Sequence, residues 1–452
     1  MDEAMELSGD PRRPHVLYVA WGFPPARGAG MYRALATANA FARDGWKVTV
    51  LTATRDTFER LTGTDPESEN YIDPRITVVR VPYDTARGER DLSKWSRWRL
   101  YSPLLWNFTR RFMSQLTFPE AEYGTWKSPL TTAADSIHRA YRVDLVVGSA
   151  VPNVDFAPGL LLFEKYGVPY VMDYRDGWHL NVYTGKRVGR RLSRSSRLER
   201  KMLDHCLEAW FVNQPIRDWH AREHPRRSSA FHVVANGFDP GFLASAAANK
   251  TDRRAGLTFG YLGTIYGPIP LRETLEGWRI ARSQSPIIAN SRLVFRGRLG
   301  HFAEPDATAA ALLDEYRDDD VRYLGPVSKS QVSDVYRSFD ALLLIIGKSK
   351  YITSGKVFEY AATGLPIAAL HHPETAATDV LRGHPHHFPV PEPTPRHIAD
   401  ALIATAKDVL ALEPGDVERT REWASHLSRD SQLLPRVSAL RTHLTSSPED
   451  GE

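Results

Sequence analysis

Short apolar runs alternate along this chain with segments in which apolar residues recur every three or four positions. The first run, HVLYVAW at 15–21, is followed by a glycine-containing loop and then by Met31, Leu35 and Ala38 at helical spacing. The runs are apolar at nearly every position, which is typical of parallel strands covered by helices on both faces. The strands predicted for the first half are 15–21, 47–53, 76–82, 143–149, 169–176 and 209–213.

The same alternation restarts after a polar, turn-rich stretch at 236–256, where we expect a domain boundary. The predicted strands are 257–263, 291–297, 321–327, 341–347 and 366–370. The predicted helical segments are 270–283, 329–338, 355–363, 375–382, 395–412 and 416–445. The pattern therefore predicts an α/β protein of two Rossmann-like domains, 14–235 and 236–415, followed by C-terminal helices and a frayed tail at 416–452. Because open α/β sheets bind ligands beyond the carboxyl ends of their strands, we expect a central cleft that both domains face.

Composition narrows the class of protein. The chain has 452 residues, of which 42% are hydrophobic and 25% charged, so it can bury large cores. Its single cysteine, Cys206, excludes a disulfide scaffold and favours a reducing cytoplasm. A net charge of +4 does not indicate a nucleic-acid-binding protein. The acidic start lacks the apolar core of a signal peptide, and the apolar run at 341–347 is too short to span a membrane.

An insertion at about 84–130 interrupts the alternation. It interleaves aromatic residues with arginines: Trp95, Trp98, Tyr101, Trp106, Phe108 and Phe112 with Arg97, Arg99, Arg110 and Arg111. One interpretation is an interfacial amphipathic segment or the wall of an acceptor pocket, in which Trp98 and Trp106 bind the acceptor. The other is a helical hairpin that packs its aromatic face on the N-terminal sheet and leaves its arginines in solvent.

Three motifs carry groups suited to chemistry. The first is the loop Pro24-Pro25-Ala26-Arg27-Gly28-Ala29-Gly30, between the first strand and a helix. Gly28 and Gly30 would let backbone amides approach an anion. The spacing is not that of a dinucleotide fingerprint, so a plain tight turn remains an alternative.

The second motif runs from Ser354 to Ile367, with the sequence SGKVFEYAATGLPI. Ser354 is suited to cap a helix whose first turn carries Gly355 and Lys356, so that a diphosphate would meet free amides and an ammonium together. Glu359 lies about one turn further on, where a carboxylate can accept both hydroxyls of a ribose. The alternative is that Lys356 and Glu359 form a solvated surface pair.

The third motif, Asp173-Tyr174-Arg175-Asp176-Gly177-Trp178, ends a predicted strand, where charged side chains would face a cleft. An ion-paired structural turn is the alternative. Two further signals favour ordinary loops: the acidic run 318–320, which precedes a strand, and the histidines at 371, 372, 384, 386 and 387. We therefore predict no metal site, although His371 to Thr375 leave the end of a strand and are suited to line a donor pocket.

The ordered series of motifs resembles the GT-B glycosyltransferases, in particular the retaining, nucleotide-sugar-dependent family 4, over about 15–440. The resemblance includes the glycine loop with Arg33 on its helix, the FPE segment at 118–120 with Trp126, and the DYRDGW segment at 173–178. It continues through the NGFD segment at 236–239, the GT-x-Y loop from Gly263 and Thr264 to Tyr266, and the SGK-FEY helix at 354–360. It implies donor binding by the C-terminal domain and acceptor binding, including Arg33, by the N-terminal domain.

The chain departs from the family pattern at three places. Tyr351 occupies the position of the first of two glutamates, and Glu359 that of the second. The Arg and Lys that commonly follow the GT loop are absent from 264–270, so Arg296, Arg298 or Lys356 would have to neutralise the diphosphate. Arg175 and Asp176 stand about where the family often has a cleft histidine, and His179 is nearby.

The resemblance implies a cytoplasmic, metal-independent, retaining hexosyltransferase whose donor is a nucleoside diphosphate sugar, with uridine as the default base and no further cofactor. Lys356, Arg298, Arg175 and Asp176 are the predicted catalytic residues. The acceptor is a small molecule or a lipid-linked sugar, the latter with peripheral contact at the inner membrane face. The alternatives are a catalytically silent nucleotide-sugar-binding subunit and a GT-B nucleotide-sugar epimerase.

Overall fold

The computed structural model of this chain describes residues 13–83, 91–242, 256–265, 267–300, 306–328 and 331–446. Backbone contacts divide it into two compact units. Of the described chain, the N-terminal unit contains 13–180, 187–234 and 433–446, and the C-terminal unit contains 181–186 and 235–432. Residues 416–432 thus group with the C-terminal unit and those after 432 with the N-terminal unit, rather than forming a segment of their own. Tyr266 and residues 447–452 of the predicted tail lie outside the described residues.

The N-terminal unit is built on a seven-stranded, fully parallel sheet. Its strands are β1 (His15–Val19), β2 (Lys47–Ala53), β3 (Ile76–Val81), β4 (Leu145–Ala150), β5 (Tyr170–Tyr174), β6 (Glu208–Phe211) and β7 (Phe231–Val233). Its helices are α1 (Ala29–Arg43), α2 (Arg55–Leu61), α3 (Arg97–Tyr101), α4 (Pro103–Thr117), α5 (Lys127–Ala140), α6 (Ala157–Tyr166), α7 (Arg194–His205) and α8 (Gln214–Glu223). The strand order β3-β2-β1-β4-β5-β6-β7 reverses between β1 and β4, and such a reversal is where an open sheet offers a crevice.

The C-terminal unit contains a six-stranded parallel sheet. Its strands are β8 (Thr258–Leu262), β9 (Arg292–Arg296), β10 (Val321–Tyr323), β11 (Ala341–Leu344), β12 (Ile367–Ala369) and β13 (His387–Pro389). Its helices are α9 (Leu271–Gln284), α10 (Pro286–Ala289), α11 (Ala307–Glu315), α12 (Val332–Arg337), α13 (Gly355–Thr363), α14 (Ala376–Val380), α15 (Pro395–Ala411) and α16 (Asp416–Ala424). The order β10-β9-β8-β11-β12-β13 reverses between β8 and β11, which sets the crevice of this sheet.

The last helix, α17 (Arg429–Ser446), begins in the C-terminal unit and continues into the N-terminal unit. There Leu433, Val437 and Leu440 join the core that contains the buried residues of β1 and β2. Asp44, at the end of α1, accepts a hydrogen bond from Ser438 Oγ at 2.6 Å. The N-terminal core is therefore completed by residues from the far end of the chain.

The two parallel sheets confirm the predicted α/β class. Every predicted strand is present, although most are shorter than predicted, and β7 and β13 were not predicted. These two strands have the sequences FHV and HFP, in which a histidine or a proline interrupts the apolar run. The single helical segment predicted at 416–445 is two helices, α16 and α17.

Candidate functional site

The N-terminal end of α13 lies at the crevice of the C-terminal sheet, because α13 follows β11 and β11 is paired with β8. Ser354 precedes the helix in an extended conformation, and its Oγ accepts a hydrogen bond from the amide of Lys356 at 3.4 Å. Gly355 is exposed, and a Cβ at that position would meet nothing within 4 Å. The start of α13 is therefore open at Gly355, so an anion can approach the positive end of the helix dipole there.

Lys356 lies directly against Gly263, the residue that follows β8. A Cβ at position 263 would overlap with Cε and Nζ of the lysine, so only glycine leaves room for this side chain. Nζ also lies 5.7 Å from the ring centre of Tyr261. Burial lowers the pKa of Lys356 from 10.5, and the nearby Glu359 carboxylate opposes this effect only in part. In the described part of the chain no carboxylate forms an ion pair with this ammonium, so its position favours an external anion.

Glu359 lies one turn beyond Lys356 and is half-buried. Its Oε2 accepts a hydrogen bond from the hydroxyl of Tyr336 at 2.9 Å, which orients the carboxylate. Tyr360, next in sequence, is fully buried, and its hydroxyl accepts a hydrogen bond from the amide of Leu262 at 2.9 Å. This bond fixes α13 to the end of β8. Neither tyrosine was predicted as a site residue from the sequence. Tyr360 is the last residue of the FEY triplet, whereas no motif contains Tyr336.

The loop after β8 is positioned by the loop after β9. The amide of Ile265 donates to the carbonyl of Arg298 at 2.8 Å, and Tyr261 donates through its hydroxyl to the carbonyl of Thr264 at 3.0 Å. The side chain of Arg298 is exposed. Arg296 instead donates to the carbonyl of Leu324 at 2.7 Å, beyond the end of β10. Of these two arginines, Arg298 is the one with an exposed side chain, and its backbone lies beside the loop that contains Thr264.

His371 and Tyr351 are the other two residues of interest in this unit. His371, two residues after β12, is buried and uses Nδ1 to bond Thr375 Oγ1 at 2.9 Å. Its buried Nε2 has no hydrogen-bond partner among the described residues. Burial lowers the pKa of His371, so the ring is neutral at pH 7. Tyr351, at the position of the missing glutamate, is also buried.

In the N-terminal unit, Arg175 occupies the space beside the glycine loop. Its Nε donates to the carbonyl of Ala150 at 2.5 Å and its Nη2 to that of Val151 at 2.6 Å. Its Nη1 lies where a Cβ of Gly30 would be. The first turn of α1, which we expected to bind the donor through Gly28 and Gly30, is therefore covered at Gly30 by a guanidinium. Arg175 holds the exit of β4 against α1, which is a positioning role.

Arg33 and Asp173 form a fully buried ion pair. Arg33 Nη2 donates to Asp173 Oδ1 at 2.6 Å and Arg33 Nε to Oδ2 at 2.9 Å, with the two side chains 3% and 0% exposed. Ser149 Oγ donates to the same carboxylate at 3.1 Å. Arg33, expected to bind the acceptor, is thus satisfied inside the protein, and a solvent-accessible role does not fit its burial.

Trp178, at the end of the DYRDGW segment, is packed against the insertion. Asp176 is exposed, whereas Trp178 stacks on Phe118 with ring centres 5.4 Å apart and an interplanar angle of 13°. Glu120 accepts hydrogen bonds from the amides of Asn153 and Val154 at 3.1 and 3.0 Å, so its carboxylate caps the turn that follows β4. Burial raises the pKa of Glu120, and these amides offset part of that rise.

The insertion departs at Arg99 from the interpretation in which its arginines lie in solvent. Arg99 is buried, with its guanidinium carbon 3.6 Å from the ring centre of Trp95 and 4.6 Å from that of Trp106. Trp106 is buried, whereas Trp98 is 48% exposed. Arg99 therefore does not lie in solvent, and of the two tryptophans proposed for the acceptor only Trp98 is accessible.

The described residues contain neither a cluster suited to bind a metal ion nor a helix suited to span a membrane. No group of three or more His, Cys, Asp or Glu side chains in them is arranged to hold a metal ion. None of the helices in the same residues combines the length and the apolar character needed to cross a bilayer.

Comparison with solved structures supports the fold of two parallel α/β sheets. Among solved structures, sucrose-phosphate synthase from Thermosynechococcus elongatus is 16% identical, with 96% of this chain and 100% of that chain covered and a TM-score of 0.60. The Anabaena protein HepE in complex with UDP and glucose is 12% identical, with 95% and 100% covered and a TM-score of 0.57. A UDP-N-acetylglucosamine 2-epimerase is 12% identical, with 98% and 99% covered and a TM-score of 0.51.

Comparison with curated protein sequences finds no match. A family model described as a glycosyl transferase 4-like domain matches residues 27–237, which include the glycine loop, the insertion and the DYRDGW segment. The chain therefore has the GT-B fold, and its residues 27–237 match the model of a glycosyl transferase 4-like domain.

Proposed function

We propose that the protein transfers a sugar from a nucleoside diphosphate sugar to an acceptor and retains the anomeric configuration. The observation that carries this proposal is the position of Lys356, a half-buried cation on the first turn of α13, for which Gly263 leaves room. The family of residues 27–237 supports the same class of reaction.

The diphosphate of the donor binds at the first turn of α13. The open approach at Gly355, the positive end of the helix dipole and the ammonium of Lys356 all favour an anion there. Because the diphosphate gains negative charge as its bond to the sugar breaks, these groups stabilise the transition state more than the bound donor. Arg298 supplies a second positive charge from the loop after β9. This set of groups performs the stabilisation that a divalent ion supplies in other enzymes.

Glu359 binds the ribose of the donor. Its carboxylate is oriented by Tyr336, which leaves Oε1 and the second lone pair of Oε2 for the sugar hydroxyls. Uridine remains the expected base, and the complex of HepE with UDP and glucose supports this choice for a protein of the same fold.

The acceptor is a hydroxyl group of a small molecule or of a lipid-linked sugar, bound by the N-terminal unit in the cytoplasm. Retention follows from front-face displacement, as the family resemblance implies. The bond between the anomeric carbon and the diphosphate oxygen breaks, and the acceptor oxygen forms its bond on the same face. The acceptor proton passes to the departing phosphate oxygen, so no carboxylate nucleophile is required.

A catalytically silent nucleotide-sugar-binding subunit is the second candidate, because the buried Tyr351 puts no carboxylate at the position of the first family glutamate. An epimerase is the third, since the fold is shared with a UDP-N-acetylglucosamine 2-epimerase. These candidates differ in what they release: a transferase releases nucleoside diphosphate only when an acceptor is present, an epimerase converts the donor alone, and a silent subunit does neither.

The experiment begins with a thermal-shift panel of nucleotide sugars, because a ligand at 100 times its Kd stabilises a protein by about 2.7 kcal/mol. The stabilising donor is then incubated with acceptor fractions, and the nucleoside diphosphate released is measured in excess chelator and with Mg²⁺. We expect acceptor-dependent release that the chelator does not abolish. Stabilisation by a donor without turnover in any acceptor fraction would contradict the proposed transferase activity. Turnover that occurs only with Mg²⁺ would contradict the proposal that the reaction is metal-independent.

A further inference from the structure

The helix α4 presents an apolar face that none of the described residues covers. Its large apolar residues recur every fourth position and are 84%, 67%, 51% and 51% exposed: Leu104, Phe108, Phe112 and Leu116. Residues four apart on a helix share one face. Leu105 and Met113 widen this face, and Tyr101 of α3 adds an aromatic ring that is 87% exposed. Soluble monomers seldom expose a contiguous apolar surface of this kind.

The opposite side of α4 is held in place by the N-terminal unit. Trp106 and Ser114 are buried, and Ser114 Oγ donates to the carbonyl of Glu120 at 2.9 Å. Arg194 of α7 donates to the carbonyls of Gln115 and Leu116 at 2.6 and 2.7 Å, which satisfies the end of the helix. Because the inner side is fixed, α4 cannot rotate to bury its apolar face.

The charge of the segment that contains α3 and α4 indicates which kind of partner binds the apolar face of α4. Residues 92–119 contain five basic residues and no acidic residue: Lys94, Arg97, Arg99, Arg110 and Arg111. Arg99 and Arg110 stack on Trp106, whereas Arg97 and Arg111 are exposed. An amphipathic helix with an apolar face and a basic border is the pattern that binds anionic lipid.

A second copy of the chain fits this face less well. A symmetric dimer brings the same patch of both copies together, so the exposed arginines would face each other. Like charges across an interface oppose association. An anionic bilayer offers both an apolar layer and a complementary charge.

We propose that α3 and α4 form a membrane-docking surface that inserts its apolar residues into the headgroup and acyl boundary of an anionic lipid bilayer. The exposed Arg97 and Arg111 then contact the acidic headgroups. This inference stands apart from the proposed transferase activity, because docking needs neither donor nor acceptor.

The test is flotation of the full chain with vesicles, once with phosphatidylcholine alone and once with an equimolar mixture of phosphatidylcholine and phosphatidylglycerol. We expect binding to the mixed vesicles that weakens as salt is raised. The triple variant Leu104→Ser, Phe108→Ser, Phe112→Ser should bind the mixed vesicles at least about tenfold more weakly, because each substitution removes apolar area that enters the bilayer. The control, Leu61→Ser, Leu324→Ser, Leu410→Ser, changes leucines elsewhere that are 39%, 49% and 45% exposed and should bind like the wild type.

A second pair of substitutions separates charge from folding. Arg97→Gln with Arg111→Gln should weaken binding to the mixed vesicles while leaving the thermal unfolding temperature unchanged. This double variant therefore tests the docking surface even if the triple variant unfolds. Absence of wild-type binding, or equal binding by the triple and control variants, would overturn the proposal. A concentration-dependent dimer in sedimentation that the triple variant loses, without vesicle binding, would overturn it in favour of a second copy.

Discussion

Gly263 and Lys356 are packed so closely that position 263 has no room for a side chain. The backbone of Gly263 cannot retreat, because its amide donates to the carbonyl of Arg296 at 2.7 Å and so belongs to the β8–β9 pairing. Any side chain at position 263 must therefore displace the lysine. The glycine after β8 has a steric role that a requirement for backbone freedom alone would not reveal.

Gly263→Ala should lower turnover while the protein remains folded. The added methyl group displaces the ammonium of Lys356, and a shift of about 1 Å at a reacting centre costs about 10²-fold in rate. The measurement is kcat at saturating donor. Gly22→Ala is the control, since a Cβ there meets nothing within 4 Å. A wild-type kcat in Gly263→Ala would show that the position of Lys356 does not matter to the reaction.

Lys356→Ala should lower kcat by about 10²–10³, with a smaller effect on donor affinity, because the charge acts mainly on the departing diphosphate. Arg298→Ala should have the same effect more mildly, because its exposed side chain acts through solvent. Lys407→Ala removes an exposed lysine from α15 and should leave kcat unchanged. If Lys356→Ala keeps a near-normal kcat at saturating donor, the diphosphate binds elsewhere.

The pH dependence of kcat/KM for the donor should have a basic limb set by Lys356. Burial lowers the pKa of this lysine below 10.5, so the free enzyme loses the ammonium at a lower pH than an exposed lysine would. Since the protonated form binds the diphosphate, kcat/KM falls as pH rises through that pKa. In Lys356→Arg this limb should vanish from the measurable range, because a guanidinium stays charged. An unchanged profile in that variant would assign the limb to another group.

Glu359→Ala should raise the donor KM, since losing a hydrogen bond to a charged group costs about 1.5–3 kcal/mol. Tyr336→Phe removes the hydroxyl that orients the carboxylate and should raise the same KM by less, without touching the donor. Both are measured with a purified donor against a fixed acceptor. An unaltered KM in Glu359→Ala would remove this residue from the donor site.

Arg33→Met should lower the free energy of unfolding by about 3–5 kcal/mol, because it leaves the Asp173 carboxylate buried without its partner. The double variant Arg33→Met, Asp173→Leu should recover part of that loss. Unfolding of the N-terminal unit in urea, followed by tryptophan fluorescence, measures both. A stable Arg33→Met protein with a raised acceptor KM would instead support the acceptor-binding role expected from the sequence.

The strands and the α13 helix could be predicted because their signals are local. Helix α13 was predicted at 355–363, and its observed bounds are Gly355–Thr363. Apolar runs and a serine cap before a glycine are contained in a few consecutive residues, and the crevice position of α13 follows from the order of parallel strands.

The partners of individual side chains could not be predicted in the same way. Arg33 and Asp173 are 140 residues apart in sequence, and nothing near either residue shows that they pair. The same holds for Arg175 and Gly30, which meet because the strands that precede them, β5 and β1, end at the same edge of the sheet on either side of β4. In the insertion, alternating aromatic and basic residues fit several orientations, and only packing shows that Arg99 is buried while Phe108 is exposed.

The path of α17 sets the order in which the two cores are completed as the chain is synthesised. The C-terminal core lies within one continuous stretch, whereas Leu433, Val437 and Leu440 of the N-terminal core are translated after all of it. At typical elongation rates the N-terminal unit, although made first, waits roughly 10–40 s on the ribosome for its last helix. During that interval the N-terminal core lacks the apolar side chains of α17, so the surface that they later bury stays uncovered while the C-terminal unit is being made.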